Sequence, residues 1–496
     1  MTNTDTQTTD LPKGWVWTTI DNIAWVTKLA GFEFTKYIKY QESGPVKVIR
    51  GLNVGYGEFR DENFKYIDIE TSDGLPRSQL RGGEILIAYV GTIGTVAILP
   101  RSNQRYHLGP NVGKIVLDEL VSNPQFVMYY LLSSSGQKQI HSKSKAVTQS
   151  SLSMGTIRQF TLPLPPLAEQ HRIVAKIEEL FSDLDHSIAA LETAQAQLKI
   201  YRQAVLKYAF EGKLTEQWRQ QHTPPPAAEL LAQIQAERAQ NGKPAKSLPP
   251  LTESELAELP GLPEGWVWTK LSAISDVLGG LTKNSKRETL NLKVPYLRVA
   301  NVYANKLDLK EVHEIGINES ELNRVSLCKN DLLIVEGNGS IDQIGRVAIW
   351  NDEIKGCAHQ NHIIKARPLL NFSSKFILYF LLSWTGRNFI VSVASSTSGL
   401  HTLSLSKVEN LKIPICSLEE QQAIIAEIEA RLSVIDKLEE TIETSLQQAE
   451  ALRQSILKQA FAGKLLPQDA HDEPATLLLE RIKNAKGAKD ARGANV

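Results

Sequence analysis

The strongest constraint on this chain is a long helical pattern that occurs twice. In its first copy, residues 167–214 run from LAEQHRIVAKIEELF to RQAVLKYAFEGKL, with no proline or glycine between Pro166 and Gly212. Apolar residues recur at steps of three and four, which predicts one amphipathic helix; they are Ile173, Ile177, Leu180, Leu184, Ile188, Leu191, Leu198, Tyr201 and Val205. About 45 helical residues extend roughly 65 Å, and such a helix needs a partner along its apolar face.

The second copy of this pattern supplies that partner within the same chain. Residues 418–465 run from LEEQQAIIAEIEARL to RQSILKQAFAGKL, an offset of 251 from Leu167 to Leu418. The segment LPKGWVWTTI at 11–20 recurs as LPEGWVWTKL at 262–271 with the same offset, from Leu11 to Leu262. The chain is therefore a tandem duplication.

Each copy begins with about 150 residues of short β-rich runs separated by glycine, asparagine and aspartate turns, which is typical of an α+β domain. Antiparallel packing of the two helices needs no long return of the chain. We therefore expect two tandem α+β domains and two long helices that pair as an antiparallel coiled coil with pseudo-twofold symmetry. The predicted division is a disordered tail at 1–10, domains at 11–165 and 262–416, long helices at 166–215 and 417–466, a linker with a short helix at 216–261, and a C-terminal tail with a short helix at 467–496.

Composition limits the class of protein. The chain has 42% hydrophobic and 22% charged residues and a net charge of zero, as in an ordinary globular protein. Its three cysteines are too few and too scattered for a disulfide framework or a structural zinc site, so we expect reduced thiols in a cytoplasmic protein. No apolar run reaches the length of a membrane span, so no membrane association is expected.

Motifs of catalysis are missing from the sequence. It contains no GxxxxGK[ST] phosphate loop, no HExxH metal pair and no Asn/Asp-Pro-Pro-aromatic run of the kind that seats an amine for methylation. Two short glycine runs, at 91–94 and 337–339, are interpreted as turns, since neither shows the full dinucleotide fingerprint. The pair His359 and His362 is interpreted as polar or core histidines, because no further Cys/His cluster accompanies it. We expect no metal site on this chain.

Charge is unevenly distributed despite the zero net charge. Residues 120–168 and 354–408 contain no acid, whereas they include Lys138, Lys143, Lys145, Arg158, Lys355, Lys365, Arg367, Lys375, Arg387 and Lys407. Two matched stretches of this kind predict one surface for an anionic partner on each domain. The alternative is that core strands and a buried helix simply carry few charges of either sign.

Polar residues in and around these stretches are suited to DNA. Arginine can bond guanine in a bidentate manner, asparagine and glutamine can bond adenine, and lysine, serine and threonine can hold phosphates. The candidates for DNA binding are Arg50, Asn53, Tyr89, Thr92, Lys143, Lys145, Gln149 and Ser150 in the first domain, and Arg298, Asn301, Asn338, Ser340, Gln343, Gln360, Ser396, Thr397 and His401 in the second. The two sets differ while the helices match, so two copies would bind two different half-sites in opposite orientations on one duplex.

These motifs resemble a known family. The order of a GWVWT segment, a variable domain, a PLPPLAEQHRIV helix and an RQAVLKYAFEGKLT end, then the same again, resembles the specificity subunit of a type I restriction–modification enzyme. The resemblance covers about residues 11–486 and is most specific in PLPPLAEQHRIVAKIE and FEGKLTEQWR. The second helix departs slightly, with ICSLEEQQAII in place of the PPLAEQ form.

The resemblance implies a non-catalytic subunit with two target-recognition domains that read a split, asymmetric site in double-stranded DNA. It also implies partners: two methylation subunits and two restriction subunits, which would carry S-adenosylmethionine, ATP and magnesium, while this chain carries no cofactor. The acidic helix faces and the short helices at 227–240 and 475–486 are candidates for docking these partners. Two other functions stay open: a coiled-coil scaffold without a DNA role, and a self-contained DNA-modifying enzyme.

Overall fold

The computed structural model describes residues 11–144, 151–240, 249–397 and 400–493 of the 496-residue chain. The chain forms two compact units, residues 1–191 with 443–496 and residues 192–442. Both long helices are divided between the units near their midpoints, so each unit holds one globular domain and half of each long helix. The predicted disordered tail at 1–10 lies outside the described residues.

The first half of the chain contains short strands and helices followed by one long helix. The strands are β1 Val16–Thr19, β2 Ala24–Lys28, β3 Val46–Ile49, β4 Lys65–Ile67, β5 Gln79–Leu80, β6 Ile85–Ala88, β7 Val96–Ile98, β8 Arg105–Leu108, β9 Val112–Leu117 and β10 Thr161–Leu164. The helices are α1 Ile20–Ile23, α2 Gly31–Tyr37, α3 Ile69–Asp73, α4 Pro124–Leu132, α5 Ser134–Ser142, α6 Met154–Arg158 and α7 Leu167–Phe210, with 3-10 turns at Gly51–Asn53 and Pro76–Ser78.

The second half repeats this order. Its strands are β11 Val267–Lys270, β12 Ser275–Gly279, β13 Lys293–Leu297, β14 Val302–Tyr303, β15 Lys306–Leu307, β16 His313–Gly316, β17 Leu332–Val335, β18 Gly337–Asn338, β19 Val347–Ile349, β20 Ala358–His359, β21 Ile363–Pro368, β22 Ser395–Thr397, β23 Leu400–Thr402 and β24 Lys412–Ile415. Its helices are α8 Glu216–Gln221, α9 Ala227–Gln240, α10 Glu253–Ala257, α11 Leu271–Ile274, α12 Glu319–Val325, α13 Ser374–Leu382, α14 Trp384–Val393, α15 Leu405–Glu409, α16 Leu418–Phe461 and α17 Ala475–Gly493, with 3-10 turns at Ser285–Thr289, Val299–Asn301 and Ile341–Gln343.

Two four-stranded sheets organise the first unit. One has the order β2-β9-β6-β7 and is antiparallel throughout, and the other has the order β4-β3-β8-β5 with a parallel β3–β8 pair. The first sheet packs its apolar face on α4, where Phe126 and Val127 are fully buried. The second unit has the corresponding sheets, β12-β21-β17-β19 and β16-β13-β20, and a parallel β13–β20 pair.

In each unit a two-stranded ribbon attaches the globular domain to a long helix. In the first unit, β1 pairs with β10, and the Trp15 Nε1 donates to a carboxylate oxygen of Glu169 at 3.0 Å. In the second, β11 pairs with β24, and Trp266 Nε1 donates to Glu420 at 2.8 Å. Both glutamates are buried. The repeated GWVWT and AEQ or EEQ motifs therefore form the junction between domain and helix.

The long helices have 44 residues each and end at glycines with positive φ, Gly212 and Gly463. In the second unit, Arg202 of α7 forms ion pairs with Asp436 and Glu439 of α16, whereas the later residue Arg219 bonds the earlier residue Glu420. This order shows antiparallel pairing. In the first unit, Asp185 of α7 pairs with Arg453 of α16, and Arg453 also lies over the Phe181 ring. The predicted fold class, two tandem α+β domains with antiparallel long helices, is confirmed.

The short helices α9 and α17 occupy corresponding places in the two units. In the second unit, Ala227 N donates to Gly265 O at 2.8 Å, and Leu230 and Ile234 are buried in the core. In the first unit, Ala475 N donates to Gly14 O at 3.0 Å, and Leu478 and Ile482 are buried likewise. These apolar residues of the two helices are thus packed inside their own units and are not free for the predicted docking of partners.

One membrane-like pattern occurs in the described part of the chain. No single helix there is long and apolar enough to cross a membrane, although α13 and α14, bent by 76°, meet that criterion as a pair. Phe376, Ile377 and Phe380 of α13 are buried in the core of the second unit.

Candidate nucleic-acid interface

In the first unit, Arg50, Tyr89 and Thr92 lie at one edge of the β2-β9-β6-β7 sheet. Strand β6 ends here at Ala88, opposite Val112 at the start of β9, and β2 ends here at Lys28, opposite Gly113. The loop at 89–94 leaves the sheet at this edge. In its first residue, Tyr89, the backbone N–H donates to Asn111 O at 3.0 Å, and the backbone carbonyl accepts from Leu152 N at 2.9 Å.

Arg50 reaches the same edge from the second sheet. Because β3 and β8 run parallel, their carboxyl ends lie together, and Gly109 N donates to Ile49 O at 2.8 Å beside Arg50. A Cβ on Gly109 would lie 2.6 Å from Ile49 O, so this close approach requires glycine. The turn that follows Gly109 contains Asn111, whose backbone carbonyl accepts the hydrogen bond from Tyr89 N. Arg50 Nη2 donates to Asn63 O, while its buried Nε has no partner among the described residues.

The second unit gathers its candidates in the same way. Gln360 N donates to Leu297 O at 2.9 Å, which places Gln360 beside Arg298 at the ends of the parallel strands β13 and β20. Glu336 N, just after β17, donates to His362 O at 2.9 Å. Arg298 Nη2 forms an ion pair with Glu311 at 3.2 Å, and the arginine side chain is one third exposed.

In the second unit a small three-stranded sheet brings further predicted residues to this edge. Strands β18, β23 and β22 pair side by side, with Asn338 opposite His401 and His401 opposite Ser396. Thr397 follows in β22, opposite Leu400. The register therefore brings three of the predicted residues into one row. Next to this row, Ser340 and Gln343 are exposed in the turn that begins with Ser340 N donating to Asn338 Oδ1.

The loops themselves are held by side chains of the helices beside them. In the first unit, Gln137 Nε2 of α5 donates to Gly94 O at 2.9 Å. In the second unit, Arg387 of α14 donates to Ile344 O at 2.6 Å and to Asp342 O at 3.3 Å. Thr92, in the first of these loops, is exposed. A fixed loop backbone presents its side chains in one arrangement, which is what recognition of a base edge needs.

The prediction that Asn53 and Asn301 bind bases is wrong. Asn53 is fully buried, and its amide donates to the carbonyls of Arg60 and Glu62 while its Oδ1 accepts from Arg50 N. Asn301 repeats these bonds with Asp308 O, Glu311 O and Arg298 N. Each asparagine therefore stabilises the turn that follows an arginine, and its polar atoms are already bonded.

The acid-free stretch of the second unit does not form a continuous basic surface. Lys365 is buried and donates to two backbone carbonyls, and burial lowers its pKa to about 8. Arg367 pairs with buried Asp331, and Lys375 pairs with Glu429. All three cations are thus bonded within the protein by groups that lie outside residues 354–408. The absence of acids from this stretch therefore does not give the second unit the basic surface that the sequence predicted.

The remaining candidates of the first unit divide into described and undescribed residues. Lys143, at the end of α5, is exposed, and its Nζ lies 3.4 Å from Gln159 O and 5.8 Å from the Phe160 ring. Lys145, Gln149 and Ser150 lie outside the described residues. Lys28 also lies at this edge, with its Nζ 4.4 Å above the Tyr89 ring, and it was not among the residues predicted from the sequence. Its position directly after a β-rich run was the available signal.

The HQNH segment shows no metal-site geometry. His359 is fully buried, and this burial lowers its pKa to about 4. Its Nδ1 lies 2.8 Å from Ile363 O. His362 is exposed and lies 3.0 Å from a carboxylate oxygen of Glu336. Across the described ranges no group of three or more His, Cys, Asp or Glu residues could hold a metal ion.

Comparison with known proteins agrees with this architecture. The family model described as the type I restriction modification DNA specificity domain matches residues 12–194 and 263–450. The chain is 25% identical over 506 residues to the type I restriction enzyme EcoKI specificity subunit of Escherichia coli K12, with 98% of each chain covered. It is also 25% identical over 490 residues to the StySPI specificity subunit of Salmonella potsdam, with 95% of this chain and 96% of that one covered.

Solved structures show the same fold. A chain from a study of complex assembly and conformational transition of the type I R-M system gives a TM-score of 0.65 at 17% identity, covering 92% of this chain and 99% of that chain. The HsdS subunit from Thermoanaerobacter tengcongensis gives a TM-score of 0.54 at 17% identity, covering 92% and 98%.

Two similar α+β domains, each attached to a long helix by a two-stranded ribbon, define a tandemly duplicated protein. Since the family model matches well over half of its residues, the chain belongs to the type I restriction–modification specificity subunits. The resemblance seen in the sequence is confirmed.

Proposed function

We propose that this chain reads a split, asymmetric site in double-stranded DNA, with one half-site for each globular domain. The observation that carries this proposal is the gathering, in each unit, of an arginine and a fixed loop at one sheet edge, joined in the second unit by the polar strands β22 and β23. The two edges differ in side chains, so two different half-sites are expected.

Side-chain chemistry supports base recognition at these edges. In this proposal Arg50 and Arg298 bond the O6 and N7 of guanine in the major groove. Asn338, Gln360 and His401 can bond base edges, and Thr92 and Ser340 can bond phosphates. None of these residues is fully buried. Asn53 and Asn301 contribute indirectly, since they hold the turn after each arginine.

The long helices are proposed to determine the number of unread base pairs between the half-sites. Both are 44 residues long without a break. Insertion of one helical turn between Leu184 and Leu198 should change that number and leave both half-sites unchanged. A change in half-site identity would contradict this role.

Catalysis is proposed to belong to partner subunits. In this proposal the chain assembles in the cytoplasm with two methylation and two restriction subunits, which is what its resemblance to the family implies. S-adenosylmethionine, ATP and magnesium are then bound by those subunits, and this chain holds no cofactor of its own. The exposed polar faces of the long helices and of α9 and α17 are the candidate docking surfaces.

The experiment is a genome-wide map of methylated adenine in cells that express this chain with its methylation subunit. A single motif with two short halves around an unspecified gap is the expected result. Formation of the complex without any methylated motif would contradict the proposal. Methylation or cleavage by the purified chain alone would contradict its non-catalytic role.

A matched pair of variants separates the two domains. Arg50→Ala should weaken selection of one half-site, and Arg298→Ala should weaken selection of the other, each by about 1–3 kcal/mol of discrimination at a single base. Leu120→Ala serves as a control, because this residue is 80% exposed beyond the opposite end of β9. Loss of both half-sites in either arginine variant would contradict the assignment of one domain to each.

A further inference from the structure

Helix α2, Gly31–Tyr37, lies next to the candidate interface of the first unit. It begins three residues after Lys28, the last residue of β2, and Lys28 Nζ lies 4.4 Å above the Tyr89 ring. The start of α2 is therefore at the same sheet edge as the loop at 89–94. No residue of this helix was among the candidates from sequence.

The helix exposes aromatic residues that contribute nothing to the core. Phe34 and Ile38 pack against a core cluster of the first unit and hold the helix in place. By contrast, Phe32 is 70% exposed and Tyr37 is 45% exposed. Exposed aromatic rings at the rim of a polar surface are typical of an interaction site.

The charge of this segment is positive. Residues 26–40 contain Lys28, Lys36 and Lys39 and a single acid, Glu33. The charge of Glu33 is balanced by an ion pair with Arg77 at 3.0 Å, and its carboxylate also accepts a hydrogen bond from Ala30 N at 2.9 Å. None of the three lysines has an ion pair within the described residues. Three cations and two exposed rings next to a DNA-binding edge complement a polyanion with apolar sugar and base faces.

The corresponding segment of the second unit differs. Residues 280–290 form a 3-10 turn, Ser285–Thr289, with exposed Lys283 and Lys286 but no aromatic residue. Arg287 of this turn is tied to Glu321 at 2.8 Å, and this ion pair lowers the pKa of Glu321 to about 2. The aromatic surface therefore belongs to the first unit alone and is no general feature of the fold.

We propose that α2 and its flanking lysines are a second DNA-contacting element of the first unit, which adds affinity beside the first half-site. The lysines bind phosphates, and Phe32 and Tyr37 pack on deoxyribose or on an opened base step. This inference rests on the proposed function. Because such contacts do not read base edges, α2 strengthens binding without changing the sequence that is selected.

The test uses the full chain in complex with its methylation subunit and measures binding to a duplex that carries the methylated motif. Lys36→Ala with Lys39→Ala should raise Kd about tenfold at 0.1 M salt and lower the slope of log K against log salt by about 2. Phe32→Ser with Tyr37→Ser should raise Kd by about tenfold and leave that slope unchanged. Leu120→Ser, an exposed position at the far end of the same sheet, should bind as the wild type does.

The outcomes separate this inference from the proposal on which it rests. Wild-type affinity in both double variants overturns the role of α2, as does loss of the methylation subunit with DNA affinity retained. A change in the methylated motif also overturns it, because α2 would then read bases. Equal binding of the wild-type complex to the motif and to a scrambled duplex overturns the proposed function, while the effect of the variants on either duplex still decides the role of α2.

Discussion

Arg219→Met should destabilise the second unit strongly, because it leaves a buried carboxylate without its cation. The carboxylate of Glu420 is 2% exposed and accepts three hydrogen bonds, from Arg219 Nη1 at 2.6 Å, Thr215 Oγ1 at 2.8 Å and Trp266 Nε1 at 2.8 Å. This cluster joins the start of α16 to the globular domain. Methionine preserves much of the volume of arginine and removes only its charge and its donors.

The size of the effect follows from burial. Removing one partner of a buried ion pair costs about 3–5 kcal/mol. Arg219 is 21% exposed, so water can replace part of its contribution, and we expect the lower value of about 3 kcal/mol. For a unit of this size that loss corresponds to a fall in Tm of roughly 6–12 °C.

The first unit provides an internal control. Glu169 bonds Trp15 as Glu420 bonds Trp266, but Leu466 and Ala470 stand 251 residues after Thr215 and Arg219. Burial raises the pKa of Glu169, which means that its charged form is already disfavoured. Glu169→Gln should therefore cost less than about 1 kcal/mol.

Calorimetry of the full chain measures both effects, and peptide-resolved hydrogen exchange assigns each transition to its unit. The double variant Arg219→Met with Glu420→Gln should recover most of the loss seen in Arg219→Met at neutral pH. A loss below about 1 kcal/mol, or no recovery in the double variant, would refute the argument from burial.

Three further predictions concern the second unit. Burial lowers the pKa of His359 to about 4, against 6.5 in the unfolded chain, so the unfolded chain binds more protons between these two values. The free energy of unfolding should therefore fall by up to about 3 kcal/mol when the pH is lowered from 6.5 to 4. Urea titrations should show a flatter pH dependence of stability in His359→Gln than in the wild type. Asn301→Ala leaves two carbonyls unbonded, which should cost about 2–3 kcal/mol by calorimetry and weaken methylation selectivity at one half-site only. Gly386→Ala places a Cβ 2.0 Å from Phe380 O and should lower Tm by several degrees, unlike Gly339→Ala, which meets nothing within 4 Å.

The long helices and the duplication could be predicted because both produce regular patterns along the sequence: apolar residues at steps of three and four, and motifs that recur at an offset of 251. Apolar spacing and the proline and glycine boundaries placed the long helices at 166–215 and 417–466, and the structure has them at Leu167–Phe210 and Leu418–Phe461. In the linker the sequence indicated one helix, whereas α8 and α10 are present as well as α9. Helix α8 has six residues and α10 has five, and helices this short show no recognisable spacing of apolar residues.

The candidate interface could be predicted only in part, because burial and partners depend on tertiary contacts. Arg298 and Asn301 differ by three positions, yet one is partly exposed and the other is enclosed by the turn that it bonds. Likewise, Arg387 looks like a surface cation in the sequence but bonds the backbone of the adjacent loop. Residue type and charge alone do not distinguish these pairs.

The division of the chain has a consequence for how such genes can diversify. The second unit is one uninterrupted stretch, residues 192–442, whereas the first is assembled from 1–191 and 443–496. Both ends of the uninterrupted stretch fall inside long helices. Two genetic crossovers at these points would exchange one complete unit, with its ribbon, its tryptophan–glutamate bond and its short helix, as a single cassette. Every contact inside the retained unit would then be inherited unchanged.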